Sequence, residues 1–370
     1  MKKVLVLGAT GSIGKSTLSV IKNEKDFRVC AMTAHTKSSE LEKLGLEFDS
    51  KTLLTSQIEK EKLAESLKNL IEKTKPDIAV NGIAGSSGLL PSVVVLESGV
   101  DLALANKESV VMAYPIIKRI SEKSGAKILP VDSEHSAIFS LLNQCKKENV
   151  EKLIITASGG PFRTWTSEKI KNATLSDALN HPTWNMGVKI TVDSATLANK
   201  GLEVIEACRL FDFDAKDIFV VVHPESIVHS LVRLKDGVVY AQMSEPDMRH
   251  PILSALTFPK IKKNSMKPFD FTDVVGEKRV LTFEKPRTED FPLLDAAFFS
   301  AQKDAAFPIA FNAANEIAAQ AFIDGKIGFP KIAEIVTDVL KNGQWTESVR
   351  DLTDVFEADK NAREKAKAFL

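Results

Sequence analysis

The run Val4-Leu5-Val6-Leu7 passes directly into Gly8-Ala9-Thr10-Gly11-Ser12-Ile13-Gly14 and then into Lys15-Ser16-Thr17. A short apolar strand that ends in spaced glycines and opens a helix admits few architectures. The glycines allow a tight turn and close backbone approach, while the helix start offers free N–H groups and the positive end of a dipole. Such a turn attracts a pyrophosphate; its structural alternative is a plain strand-to-helix connection. The spacing is GxxGxxG rather than GxGxxG, so context has to decide between them. Around and after the turn, apolar β-branched runs alternate with amphipathic stretches: 3–7, 28–33 and 77–81 read as strands, 15–23, 38–44 and 58–73 as helices. That rhythm predicts an α/β fold whose N-terminal part is a Rossmann-like, doubly wound parallel sheet. At the first strand of such a sheet, the glycine turn is a dinucleotide site.

The second strand ends in Ala34-His35-Thr36-Lys37-Ser38, with no carboxylate to take a ribose 2'-hydroxyl. Donors there favour a 2'-phosphate, hence NADP over NAD. A later apolar run, 100–104, leads into Ala105-Asn106-Lys107-Glu108-Ser109 at the carboxyl end of another strand, where open α/β sheets place ligands. Lys107 is there either a solvated loop lysine or a cation facing the cofactor crevice.

From about residue 150 the pattern changes. Strands are expected at 153–157, 219–222, 230–233 and 238–243, mixed with helices at 194–211 and 251–256, which predicts a central α+β catalytic domain. Residues 260–287 are rich in Lys, Pro and Phe without helical period and read as an extended connector. Four Ala-rich stretches, 293–304, 310–324, 329–341 and 359–370, predict a small C-terminal helical domain. The expected division is 1–132, 133–258, a linker at 259–284, and 285–370.

Composition narrows the class of partner. Over 370 residues, 49 basic and 49 acidic side chains cancel, so nothing favours nucleic acid or an anionic membrane. Three dispersed cysteines, Cys30, Cys145 and Cys208, fit buried free thiols of a reducing compartment. A strand begins almost at the first residue and no apolar run is long enough to span a bilayer, so a cytoplasmic location is expected.

Asp132-Ser133-Glu134 follows the apolar run 126–131. If the backbone there is extended, residues two apart point the same way and two carboxylates share one side. Like charges that close need a cation, and oxygen donors suit a hard divalent ion with open positions. The bland alternative is an acidic loop at a strand end. A second group lies in Ser194-Ala195-Thr196-Leu197-Ala198-Asn199-Lys200-Gly201-Leu202-Glu203, where helical spacing lets Asn199, Lys200 and Glu203 share a face with Ser194 near the helix start. That face would hold an anion while Glu203 reaches a metal; otherwise Lys200 and Glu203 form an ordinary surface ion pair of little energetic consequence. Should Glu203 converge on Asp132 and Glu134, three carboxylates make a metal site beside a phosphate pocket. Ser158-Gly159-Gly160-Pro161-Phe162 supplies a hydroxyl and flexible N–H groups. Asn180-His181-Pro182-Thr183-Trp184-Asn185-Met186-Gly187 is either a structural loop around a Trp or a lid closing over a ligand. None of the six histidines has zinc-site spacing, and His223 and His229 are expected to be structural.

Taken in order, GATGSIG, ANKES, VDSEHSA, SGGPF, HPTWNMG, DSATLANKGLE, HPESIVHS, EPDMRHP and NAANE span nearly the whole chain. The set resembles the 1-deoxy-D-xylulose 5-phosphate reductoisomerases, NADPH-dependent enzymes of the non-mevalonate isoprenoid route. The resemblance implies three domains, a homodimer, a small phosphorylated sugar as substrate, and NADPH with Mg2+, Mn2+ or Co2+ as cofactors. It makes Asp132, Glu134 and Glu203 the metal ligands, and Ser158, Ser194, Asn199 and Lys200 the phosphate pocket. His181 and Trp184 would close over the substrate, whose reacting end Lys107 and Ser133 would touch. Thr10, Gly11, Ser12, Ile13, Asn106, Glu108 and Gly187 would line the NADPH site, with Ala34, His35 and Thr36 at the 2'-phosphate. The chain departs from the family there, since a Gly and an Asn usually occupy that turn. The resemblance also assigns catalytic roles to Lys107, Glu134, His181 and Glu203.

Two rivals fit less of the chain. A metal-free NADP-dependent dehydrogenase leaves the carboxylates unexplained; its Tyr-x-x-x-Lys pair has only a nominal match, Tyr114 and Lys118, with Pro115 between. A non-catalytic NADPH sensor would not need Lys107, His181 and the carboxylates intact.

Overall fold

The computed structural model describes residues 1–184, 186–272 and 280–370. The chain divides into two units, one of residues 1–136 and 247–267, the other of residues 137–246 and 268–370.

In the first unit, strands and helices alternate as β1 Lys2–Leu7, α1 Ser12–Asn23, β2 Phe27–Ala34, α2 Ser38–Glu47, β3 Lys51–Leu54, α3 Lys60–Thr74, β4 Ile78–Asn81, α4 Leu89–Glu97, β5 Asp101–Leu104, α5 Lys107–Ser124 and β6 Ile128–Pro130. The six strands run in the order β3-β2-β1-β4-β5-β6, all parallel. This is the doubly wound order, and it reverses direction between β1 and β4. Val4, Leu5, Val6, Ile78, Ala79, Val80, Leu102 and Ala103 are fully buried, as a parallel sheet covered on both faces requires. A later helix, α11 Arg249–Thr257, returns to this unit and packs on α1, β5 and β6.

Helix α6, Ser133–Cys145, begins in this unit and corrects the reading of Asp132-Ser133-Glu134 as extended. Strand β6 stops at Pro130, so Ser133 and Glu134 form the first turn of a helix and do not alternate across a strand.

The second unit contains β7 Val150–Ala157, α7 Ser167–Lys171, α8 Leu175–Leu179, α9 Val188–Ala195, α10 Ala198–Phe211, β8 Ile218–Val222, β9 Val228–Leu234 and β10 Val239–Met243. Its sheet runs β10-β9-β7-β8, with β7 parallel to β8 and antiparallel to β9. Helices α12 Leu293–Lys303, α13 Ala306–Ile323, α14 Phe329–Asn342 and α15 Leu352–Lys367 follow, confirming a helical C-terminal segment. Helix α15 starts a full turn and more before the expected 359, because Asp351 caps it by accepting from the N–H groups of Thr353 and Asp354. The expected single helix over 194–211 is two, broken where buried Leu197 takes a left-handed backbone at φ 58°. Ser194 therefore closes α9 and does not open α10. Within the expected connector, Glu284 bridges to Val222, while residues 273–279 lie outside the described set.

Candidate active site

The glycine turn follows β1 at the point where the strand order reverses. Gly8 adopts φ +80°, and a Cβ on Gly14 would lie 2.3 Å from the carbonyl oxygen of Gly8, so α1 starts hard against the turn. Gly11 caps α1 without a side chain. The exposed Gly11 and Ser12 leave the helix start open to an anion, with Thr10 buried beneath. At the end of β2, His35 Nδ1 lies 3.1 Å from Thr55 Oγ1, and that hydroxyl donates to the carbonyl of Ala34. Thr36 and Lys37 are exposed.

Asn106 caps α5 and spends its whole amide internally. Its Oδ1 accepts from the N–H of Ser109 at 3.0 Å. Its Nδ2 donates to the carbonyls of Ile83 and Gly85 and to Glu108 Oε2 at 2.8–2.9 Å. Any contact of Asn106 with a cofactor therefore falls to its backbone. A buried ladder continues from Ser109 through Ser92, at 3.1 Å between hydroxyls, to Asn81. These three residues were not legible as site supports, although polar residues in otherwise apolar runs were the available signal. The ladder fixes the start of α5, where Lys107 is 7% exposed with Nζ 2.7 Å from Asp132 Oδ2. The fully buried His135 places Nδ1 3.9 Å from the same oxygen. Glu134 accepts from the Ser133 hydroxyl at 2.5 Å.

In the second unit, His181 joins two serines. Its Nε2 lies 3.0 Å from Ser158 Oγ and 3.1 Å from Ser194 Oγ. Its Nδ1 accepts from the N–H groups of Thr183 and Trp184 at 3.2 and 2.9 Å, so Nδ1 carries no proton and Nε2 does. The single Nε2–H is shared between the two serine oxygens, which leaves their own protons free to turn towards an anion. Gly160 closes the arrangement: at φ +69°, a Cβ there would lie 2.6 Å from the carbonyl of Ser194, so only glycine lets this loop meet α9. Trp184 is half-buried beside His181, Gly187 caps α9, and Asn185 lies outside the described residues.

Burial holds the His181 imidazole below its ordinary value, keeping it neutral near pH 7. The sign follows: a depressed histidine contributes stability that is complete above its unfolded value of about 6.5 and is lost as pH falls through the folded value. Protonation at Nδ1 would also break the two N–H contacts of the loop. The stability difference between wild type and His181→Asn in the ligand-free protein, followed by denaturant unfolding, is expected to shrink from pH 7.5 to pH 5. A difference independent of pH would contradict the neutral tautomer.

Helix α10 carries Asn199, Lys200 and Glu203. Asn199 Nδ2 donates to Glu203 Oε1 at 2.5 Å, and Lys200 Nζ donates to Glu203 Oε2. Lys200 is 4% and Glu203 1% exposed, so this is no surface ion pair. A carboxylate so buried persists in charged form only beside cations and donors. Glu206, equally buried one turn on, went unnoticed although it interrupts the apolar run Val204, Ile205, Ala207. Asp193, next to Ser194, is also buried and pairs with Lys189 at 2.6 Å.

Among the remaining expectations, Cys30, Cys145 and Cys208 are free but half-buried, with burial pushing the Cys208 thiol up to about 12. His223 is structural, its Nδ1 2.8 Å from the carbonyl of Thr282 and its ring stacked on Phe283. His229 is likewise tied to Ser244. Tyr114 and Lys118 flank the Pro115 kink of α5. No described helix is long and apolar enough to cross a membrane.

Family models cover most of the chain. Models of 1-deoxy-D-xylulose 5-phosphate reductoisomerase match residues 4–114, and of its C-terminal domains residues 128–211 and 243–365. The chain is 50% identical to the Treponema denticola 1-deoxy-D-xylulose 5-phosphate reductoisomerase over 98% of this chain and 95% of that protein. The Zymomonas mobilis enzyme, solved with NADPH, superposes with a TM-score of 0.88 at 38% identity, covering 99% of this chain and 98% of that one. A reductoisomerase solved with NADPH, fosmidomycin and magnesium gives 0.89 at 36% identity, covering 100% and 98%. With identity and fold agreeing over almost its full length, the chain belongs to the 1-deoxy-D-xylulose 5-phosphate reductoisomerase family.

Proposed function

We propose that Lys107, Asp132, Glu134, Ser158, His181, Ser194, Asn199, Lys200 and Glu203 serve one reaction. In it, 1-deoxy-D-xylulose 5-phosphate becomes 2-C-methyl-D-erythritol 4-phosphate, at the expense of one NADPH and one proton. Family membership supports the reaction, and relatives solved with NADPH and magnesium support the cofactors. The observation that carries the reading furthest is Glu203, a 1% exposed carboxylate on the same helix turn as the anion-binding donors Asn199 and Lys200.

Asp132, Glu134 and Glu203 would hold a divalent ion. The donor chemistry fits: all three offer hard oxygens, and each now leans on a donor or cation, Lys107, Ser133 or Lys200 respectively. Such an ion supplies Lewis-acid polarisation of the substrate carbonyl and the neighbouring hydroxyl. The chain's own groups do the rest. Ser158, Ser194, Asn199 and Lys200 grip the phosphate, and that remote binding energy favours closure of His181 and Trp184 over the sugar. Lys107, oriented by Asp132, stabilises oxyanion charge as a carbon–carbon bond breaks and re-forms. The resulting branched aldehyde takes hydride from NADPH, bound by Thr10, Gly11, Ser12, Ile13 and the backbone near Asn106, Glu108 and Gly187. Ala34, His35 and Thr36 would face the 2'-phosphate; the lack of any carboxylate in that turn supports this.

The three-domain division at 132, 258 and 284 is part of the same reading; the change of family model between 114 and 128 supports its first boundary. So are a homodimer and a cytoplasmic location, the latter supported by the free thiols.

Purified protein with deoxyxylulose phosphate is expected to oxidise NADPH only with added Mg2+ or Mn2+, and to stop on addition of EDTA. Turnover that ignores EDTA would favour the metal-free dehydrogenase instead.

A further inference from the structure

Ser194 is the last but one residue of α9, and its neighbour Asp193 is 1% exposed. Asp193 Oδ1 accepts a hydrogen bond of 2.9 Å from Asn315 Nδ2, 122 residues further along the chain on α13. Asn315 is itself fully buried, and its Oδ1 finds no hydrogen-bond partner among the described residues. A buried amide that satisfies only one end is a poor stabiliser. An apolar side chain of the same size would suit an Ala-rich helix better. The pair therefore does something besides holding helices together.

Its location shows what. Three contacts converge on the last turn of α9: His181 Nε2 on Ser194 Oγ, the backbone of Gly160 against the Ser194 carbonyl, and Asn315 on Asp193. The first two come from loops. Asn315 instead belongs to the long, buried helix α13, so its hydrogen bond ties this turn to a packed element distant in the chain. We infer that Asn315 is a positioning residue: through Asp193 it sets the rotation of α9, and so the direction in which Ser194 presents its hydroxyl to the substrate phosphate. The inference rests on the reading of Ser194 as a phosphate ligand and extends the site into the C-terminal helices.

The test compares Asn315→Leu, Asp193→Asn and Ser194→Ala in the full-length enzyme, with inorganic phosphate as the competitive probe. Asn315→Leu is expected to raise KM for substrate and Ki for phosphate in parallel, by about tenfold, the loss of one hydrogen bond to a charged group. KM for NADPH should stay within twofold. Because the effect runs through Ser194, Asn315→Leu should add nothing in the Ser194→Ala background. Asp193→Asn should behave likewise, and carries the same cycle if Asn315→Leu does not fold. If Ser194→Ala leaves phosphate inhibition unchanged, the pocket reading fails and this inference with it. If Ser194→Ala weakens inhibition but Asn315→Leu and Asp193→Asn do not, or if their effects add to it or extend equally to NADPH, the positioning role alone is overturned.

Discussion

Glu203→Gln is expected to remove metal-dependent turnover almost completely, by about a thousandfold or more in kcat. Changing even an outer partner of a metal ligand costs about 10–100-fold, and here a ligand itself loses its charge. The substitution has a second consequence that must be separated from the first. Lys200 is 4% exposed and donates to Glu203, so neutralising the carboxylate leaves a buried ammonium short of its counter-charge. Breaking such a pair costs about 3–5 kcal/mol of stability. Glu203→Asp keeps the charge and shortens the reach. It should largely restore the unfolding midpoint without restoring turnover. Should it recover full activity together with stability, Glu203 would serve the fold and not the metal.

Lys107→Ala should lower kcat by about 10²–10³-fold, the usual penalty for deleting a preorganised group that meets developing negative charge. Its ammonium is 2.7 Å from Asp132 and nearly sealed from water, so the charge is strong and its direction fixed before substrate arrives. KM for NADPH should change much less than kcat, because Asn106 and Ser109 still hold the start of α5 without Lys107. Lys107→Met, which keeps the packing of the stem, should be as slow as Lys107→Ala. Near wild-type turnover in either would end the oxyanion role.

What the sequence discloses and what it hides divide along physical lines. The glycine turn and the parallel sheet were legible because both rest on local pattern: apolar runs, fixed glycine positions and a helix start. The chemical identity of Asp132, Glu134 and Glu203 was equally plain, but their local geometry was not. Alternation over Asp132-Ser133-Glu134 implied a strand, whereas Ser and Glu at a helix start fit just as well, and β6 has only 3 residues. The break between α9 and α10 has no sequence signal, since leucine is a poor choice for a left-handed turn. Burial of Leu197 supplies the cost of that conformation from tertiary packing. Burial also separates the two readings of Lys200 and Glu203, and no spacing rule reports burial. Asn315 illustrates the furthest limit: NAANE stands out as a motif, but its partner Asp193 lies 122 residues away and is reached only in the folded chain.

The proposed metal role of Asp132, Glu134 and Glu203 can be tested directly. Mn2+ titration of the full-length protein by calorimetry, in wild type and in Asp132→Asn, Glu134→Gln and Glu203→Gln, tests it without reference to turnover. The account requires one tight site in wild type, weakened about tenfold or more by each substitution. Wild-type affinity in Glu203→Gln, with loss in Asp132→Asn and Glu134→Gln, would contradict it and leave the metal to Asp132 and Glu134 alone.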